Sequence, residues 1–151
     1  MVAVLAPGAC AHLRRSAPTT ASAATPTTAH LEVRGASVDR PADGHTTAVR
    51  MVIVNGTRVP DRLLSIRSDE AGSAMIHTIG HDALGRTTMT ARTSLAIPAG
   101  ATVYFAPGLR HLMLSDLRQP LEVGDHVHLE LRFEHAGTVD IDAPVRPIPS
   151  N

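Results

Sequence analysis

The chain has 151 residues, of which 43% are hydrophobic and 19% charged, and 14 basic residues balance 14 acidic ones. This length predicts one domain, and the zero net charge provides no field that would recruit nucleic acid or an anionic membrane. Every basic residue is Arg, which excludes a Walker-type phosphate loop and a lysine nucleophile, and the single Cys10 excludes an intramolecular disulfide or a cysteine-rich zinc site.

Residues 1–29 are rich in Ala, Thr, Ser and Pro and lack any sustained hydrophobic period. Such a segment buries too little apolar surface to offset the entropy of ordering it, so we expect a disordered tail. Its opening also resembles the end of a lipoprotein export signal, which makes Cys10 a candidate lipidation site. Pro7 and the short apolar run depart from that pattern. Two interpretations therefore stay open, an unprocessed tail and the remnant of an export signal.

From residue 30 onward the pattern is β almost throughout, with short apolar runs separated by turn residues such as Asn55-Gly56 and Gly124-Asp125. The strand candidates are 31–38, 47–55, 62–68, 74–78, 86–92, 102–105, 110–114, 126–135 and 138–143. No ten-residue stretch keeps a helical period. We predict an all-β domain over residues 30–146, an antiparallel β-sandwich or small Greek-key barrel, followed by a short tail at 147–151.

Nine His and five Met stand out in a chain with 2% aromatic residues, and strand alternation predicts where some of them point. In the candidate strand 110–114, Leu112 and Leu114 share one face and are the natural core residues. His111 and Met113 therefore project together from the opposite face, about one strand repeat apart. That spacing suits two ligands of one ion.

The candidate strand 74–78 repeats this arrangement. Ile76 takes the core side, so Met75 and His77 project together from the other face. Met89 is an isolated apolar residue within a polar run, where packing does not require it. We therefore treat Met89 as a third candidate thioether ligand.

Imidazole and thioether groups form a soft, neutral ligand set that suits Cu(I), whereas hard ions require oxygen ligands. Met is also a common packing residue, so a metal-free sandwich serving as a cell-surface interaction or adhesion module remains the alternative. The domain contains no Cys, which excludes a blue-copper centre, and no nucleophile elbow is present. We expect no enzymatic activity.

The segment 96–125 resembles the periplasmic copper chaperone family, called PCu(A)C, and the resemblance extends over about residues 33–145. The family motif is a His, about ten residues, a Met, twenty-one residues, and then His-x-Met. In this chain the motif reads His77, Met89 and His111-Leu112-Met113, with the twenty-one residues between Met89 and His111 intact.

This resemblance implies a cupredoxin-like β-sandwich that binds one Cu(I) per domain at an exposed site formed by two His and two Met. It further implies delivery of copper, outside the cytoplasm, to the copper centre of cytochrome oxidase or to its assembly factors. We accordingly expect a monomer in the periplasm or at the cell surface, which would contact the membrane only through a lipid anchor if Cys10 is lipidated.

The gap between His77 and Met89 is eleven residues, and the intervening turn contains His81, which could replace or supplement His77 as a ligand. Met75 is a further candidate ligand because it shares a strand face with His77. Three other histidines do not fit the motif and are expected to be surface residues: His126, His128 and His135.

Overall fold

The structure is a computed structural model that describes residues 30–106 and 108–148. The predictions made for residues 1–29, including lipidation of Cys10, and for residues 149–151 lie outside this part of the chain. Over the described residues, no helix is long and apolar enough to cross a membrane.

Ten strands account for the regular structure of the described residues. They are β1 (Leu31–Asp39), β2 (Thr46–Asn55), β3 (Asp61–Arg67), β4 (Ala71–His81), β5 (Thr87–Arg92), β6 (Leu95–Ile97), β7 (Thr102–Phe105), β8 (Arg110–Leu117), β9 (His126–Phe133) and β10 (Thr138–Arg146). Each predicted strand has a counterpart, so the all-β prediction is confirmed. β6 is additional, because a three-residue strand is too short to show a period.

The strands form two hydrogen-bonded sheets. One has the order β5-β4-β8-β2-β1, and β7 pairs with β2 beside β8; the other has the order β10-β9-β3-β6. Alternating residues of both sheets turn inward to a single core, as in β9, where Val127, Leu129, Leu131 and Phe133 are buried. The apolar/polar alternation of the sequence therefore directs one face of each sheet towards the core.

β1 and β10 join the two sheets by a parallel pairing, in which Val38 lies opposite Val145. The sequence predicted an antiparallel sandwich, and this pair is the exception among the described strands. A parallel pair requires a long crossover connection. Here the connection between β1 and β10 is nearly the whole domain, so no turn motif in the sequence predicts the parallel pairing.

The face of the first sheet that points away from the core carries the candidate ligands. β4 and β8 pair side by side and β5 forms the outer edge, so the three strands that contain the motif residues are neighbours. The β4–β8 register is regular from Ala71, which lies opposite Leu117, to Thr78, which lies opposite Arg110. This paired stretch contains Met75, His77, His111 and Met113.

Candidate metal centre

The register of β4 and β8 places like residues opposite each other. His77 lies directly opposite His111, and Met75 lies directly opposite Met113. Because directly opposed residues of paired strands share a face, these four side chains form one compact group. We call this surface, together with Met89 of β5, the His/Met face.

The core side of the same strands holds the residues that alternate with this group. Ile76 lies opposite Leu112, and both are buried. The predicted division of each strand into a core face and a ligand face is therefore present in the structure.

The imidazoles of His77 and His111 meet edge to face, with ring centroids 5.4 Å apart and ring planes inclined by 80°. The Nδ1 atom of each ring is buried and has no hydrogen-bond partner among the described residues. A buried polar atom without a partner costs free energy, and a metal ion bound by both rings would satisfy such atoms. This feature fits a two-imidazole metal site.

His111 is more enclosed than the sequence predicted, since it is 8% exposed although it points away from the core. Burial, with a smaller contribution from the charge of His77, lowers the pKa of His111 below its usual value. A ring with a lowered pKa is neutral at physiological pH, which is the form that coordinates a metal. The site was expected to be exposed, and His111 is instead an enclosed member of it.

The thioethers lie nearer to solvent than His111. Met75 is 50% exposed and Met113 is partly buried. The compact group is therefore enclosed at the His111 imidazole and exposed at the Met75 thioether, so an incoming molecule could reach it from the Met75 side.

Met89 lies on β5 directly opposite Ile79, so its side chain is on the same face of the sheet as His77. It is not a member of the compact group. It is diagonal to His77, with about 8 Å between the Cα positions, and about 16 Å from Met113 across two strand spacings and four residues of offset. Met89 is 57% exposed and every residue of β5 is exposed. By register, Met89 is one strand away from His77 and two strands away from Met113.

The turn between β4 and β5 fixes the position of Met89. The Asp82 carboxylate accepts hydrogen bonds from the backbone N–H groups of Leu84 and Arg86, and the Arg86 guanidinium donates to it at 2.7 Å. Gly85 supplies the positive φ of 75° that the turn needs.

His81 stands at the end of β4 next to this turn, exposed and opposite Thr87. It lies four positions after His77, about 13 Å along the strand, so it does not join the compact group. It is instead diagonal to Met89, at the same distance of about 8 Å that separates Met89 from His77.

The three histidines that were expected to be surface residues lie on or beside β9. His128 lies close to Asp140 and Asp142, at 3.5 and 3.3 Å, and His126 and His135 are exposed. No cluster of three or more His, Cys, Asp or Glu with the geometry of a metal site occurs among the described residues. The candidate donors on the His/Met face are therefore imidazole nitrogens and thioether sulfurs, and they are not part of a carboxylate cluster among the described residues.

Sequence reasoning identified each residue of the compact group but not the way in which they pair. Alternation within a strand shows which residues share a face, whereas the register between β4 and β8 is set by pairing between strands that are distant in sequence. The palindromic order of Met75-Ile76-His77 and His111-Leu112-Met113 was a usable signal, because antiparallel strands pair such segments like with like.

Comparison with known proteins gives a family match over most of the domain. The family described as "Putative lipoprotein LpqE-like" matches residues 31–145. A relative named "Putative lipoprotein Lxx21020", from Leifsonia xyli subsp. xyli, is 31% identical over 139 residues, which are 92% of this chain and 81% of the relative.

Solved structures give the same result for the fold. The copper-bound PCuAC domain from PmoF2 is 27% identical with a TM-score of 0.66, and the match covers 78% of this chain and 93% of that domain. CuI-DR1885 from Deinococcus radiodurans is 30% identical with a TM-score of 0.61, and the match covers 74% of this chain and 75% of that one. The predicted cupredoxin-like β fold is thereby confirmed. The chain belongs to the LpqE-like family, which is the PCuAC family that its sequence resembles.

Proposed function

We propose that this domain is a copper chaperone, which binds one Cu(I) ion as cargo on the His/Met face. The ligands come from the set His77, Met89, His111 and Met113. The observation that carries the proposal is the pairing of His77 with His111, which opposes two imidazoles that have unpartnered buried nitrogens beside a pair of thioethers.

The donor set favours this metal over others. Thioethers and neutral imidazoles suit Cu(I), whereas Mg²⁺ and Ca²⁺ require oxygen ligands. Met and His also hold Cu(I) without forming disulfides, which is an advantage in an oxidising compartment. The copper-bound relatives from PmoF2 and Deinococcus radiodurans support the assignment of the metal.

A carrier must release its cargo as well as bind it. Met75 and Met89 are half or more exposed, so an acceptor could approach the ion from the thioether side while His111 remains enclosed. We propose that the acceptor is a copper-requiring protein, cytochrome oxidase or one of its assembly factors. Exchange of ligands on Cu(I) requires no redox chemistry, which is consistent with a non-enzymatic role.

We further propose that the protein acts outside the cytoplasm, in the periplasm or at the cell surface, as a monomer. The lipoprotein descriptions of its family and of its Leifsonia relative support a location in the cell envelope. Lipidation of Cys10 would supply the anchor.

Anaerobic Cu(I) titration against a chromogenic chelator tests the proposal, and X-ray absorption identifies the donors. We expect one tightly bound ion with mixed sulfur and nitrogen ligation. A domain that leaves all the copper with the chelator would favour the metal-free adhesion module, in which the exposed Met residues serve a protein interface. A first shell of nitrogen and oxygen alone would contradict the His/Met assignment.

A further inference from the structure

A cleft of about 860 Å³ lies beside the edge strand β5, and residues of both sheets line it. Three of the lining residues are arginines: Arg92 of β5 and Arg110 of β8 in the first sheet, and Arg62 of β3 in the second. The other lining residues are uncharged, and four of them carry hydroxyl groups. The cleft therefore concentrates three positive charges in a protein whose net charge is zero. We call it the arginine cleft.

The protein itself compensates these charges only weakly. The Nε of Arg62 lies 3.7 Å from Oε2 of Glu134, and both side chains are half exposed, so this ion pair contributes little. Among the described residues, no carboxylate forms an ion pair with Arg92 or Arg110. The Nε of Arg110 is buried and lacks a hydrogen-bond partner in that part of the chain. A partly buried guanidinium without a counterion is costly, and an anion in the cleft would lower that cost.

The arginine cleft and the His/Met face are built on the same three strands. Arg110 precedes the candidate ligand His111 on β8 and therefore points to the opposite side of the sheet. Arg92 alternates in the same way with Ala91 on β5. Ala91 lies directly opposite His77 and also lines the cleft. A molecule held in the cleft is therefore adjacent to the candidate copper ligands.

A more apolar groove of about 330 Å³ adjoins the arginine cleft. The two share Ala91, Arg92 and Thr93, and the groove adds Leu64 and Met75. The Leu64 side chain is 37% exposed and that of Met75 is 50% exposed. A ligand that occupies both would contact arginines and apolar side chains together, and it would reach a thioether of the His/Met face.

We propose that the arginine cleft and the adjoining groove form the docking site for the copper acceptor. The occupant is an extended acidic segment of that protein, with an apolar side chain among its carboxylates. Guanidinium groups bind carboxylates through paired hydrogen bonds, and the groove takes the apolar side chain. This proposal rests on the copper-chaperone function, because docking here holds the acceptor beside Met75.

The shape of the site favours a protein segment over other anions. Sites for drug-sized ligands have volumes of roughly 300–1,000 Å³, and the arginine cleft alone reaches this size, so one small anion would leave most of it empty. An anionic membrane is also a poorer fit, because its surface is flat and the cleft is concave.

Fluorescence anisotropy with the full-length protein, free of copper, tests the docking site. The probe is a fluorescein-labelled peptide with blocked ends, Glu-Glu-Leu-Glu-Glu-Gly, and its neutral control has Gln in place of each Glu. We expect the Glu peptide to bind about tenfold more tightly than the Gln peptide. The preference should shrink as added salt screens the charges.

Variants of the cleft locate the binding. Arg92→Gln and Arg110→Gln should each weaken binding of the Glu peptide by about tenfold, because each removes a charged hydrogen-bond donor. Arg92 lies on a fully exposed strand, so its replacement tests the site even if Arg110→Gln impairs folding. Arg118→Gln is the matched control: it removes the same charge from an exposed residue just beyond the other end of β8, and it should change the affinity by less than about twofold.

Copper transfer connects docking with the chaperone function. The acceptors are the same two peptides, each extended by Gly-Cys-Gly-Gly-Cys, whose thiolates take Cu(I) by ligand exchange without a change of oxidation state. At limiting peptide concentration, the wild-type protein should load the Glu acceptor about tenfold faster than the Gln acceptor, and Arg92→Gln should remove most of this difference. Because both acceptors carry the same thiolates, the ratio of the two rates corrects for any change in Cu(I) affinity.

Several outcomes would overturn the docking site while leaving copper binding intact. Equal affinities for the Glu and Gln peptides would do so, as would equal losses in Arg92→Gln and Arg118→Gln. Citrate or phosphatidylglycerol vesicles that bind more tightly than the Glu peptide, and lose affinity in Arg92→Gln, would assign the cleft to a small anion or to a membrane instead. Failure of the wild-type protein to bind Cu(I) would contradict the proposed function itself, and the copper-free peptide titration distinguishes that failure from the loss of docking.

Discussion

Two regions of this molecule carry histidines on strand faces, and their electrostatic surroundings are opposite. On the first sheet, His77 and His111 face each other and form no ion pair with a described carboxylate, and burial lowers the pKa of His111. On the second sheet, His128 is bonded to Asp142 and lies near Asp140, and the hydrogen bond to Asp142, with the nearby carboxylates, raises its pKa.

The comparison shows that neighbours, more than residue type, decide what a histidine can do. A neutral ring offers a lone pair to a metal, whereas nearby carboxylates favour the protonated form of a ring, which has no lone pair to offer. The same side chain is therefore suited to Cu(I) on one sheet and to a solvated ion pair on the other. Four experiments test this difference between the histidines of the two sheets.

Removal of a ligand imidazole should have the largest effect. We expect His111→Asn and His77→Asn each to weaken Cu(I) binding by about 100-fold or more, because a direct ligand matters at least as much as its outer-shell partners. His128→Asn is the matched control and should leave the affinity unchanged. Chelator competition at neutral pH measures all three, and equal losses at His128 and His111 would contradict the distinction between the regions.

Acid should weaken copper binding through the rings of the first region. Protonation of one imidazole with an ordinary pKa near 6.5 costs about 25-fold in affinity between pH 7 and pH 5. With two ligand rings we expect affinity to be flat above about pH 7 and to fall below about pH 6. The slope should approach two protons per ion in the acid limit.

Because the pKa of His111 is lowered, protonation of His111 should reduce the Cu(I) affinity only at more acidic pH. His77→Ala should reduce the slope to about one proton. If His81→Ala reduces the slope and His77→Ala does not, His81 is the ligand of the tightly bound ion. An affinity that does not change from pH 5 to pH 8 would exclude imidazole ligation.

A carboxylate introduced beside His77 should make the first region resemble the second. Ala91 lies directly opposite His77, is exposed and shares its face. Ala91→Asp should place a carboxylate, which is a hard oxygen donor, beside His77, so Zn²⁺ affinity should rise by about tenfold and the preference for Cu(I) should fall. Ala91→Asn is the neutral control. Parallel Cu(I) and Zn²⁺ titrations measure the preference, and an unchanged ratio would contradict this reasoning.

The smallest effect concerns the second region alone. Because the pKa of His128 is raised in the folded protein, its protonation stabilises the fold below the ordinary His pKa of about 6.5. That contribution disappears as the pH rises through the folded-state value. His128→Gln should therefore destabilise the protein slightly at pH 5.5 and not at pH 9, as measured by urea unfolding. A deficit that is the same at both pH values would show that the ion pairs are not its cause.

The sequence predicted the faces of individual strands well because alternation is a local property. Ile76 and Leu112 lie in the core and Met75 and Met113 opposite it, as the pattern indicated. It did not predict that Met75 faces Met113, since register between strands depends on turns and bulges far from either residue. The enclosure of His111 also escaped prediction, because an outward-facing side chain can still be covered by its neighbours.

The parallel pairing of Val38 with Val145 has a consequence for the order of folding. β10 is the last of the described strands in chain order, so the two sheets cannot join until the whole domain has been synthesised. Contacts between residues so distant in sequence also slow folding, towards the millisecond-to-second range that is typical of all-β domains. Until β10 docks beside β1, the inner faces of both sheets remain open to water, and a chaperone or rapid export would protect them.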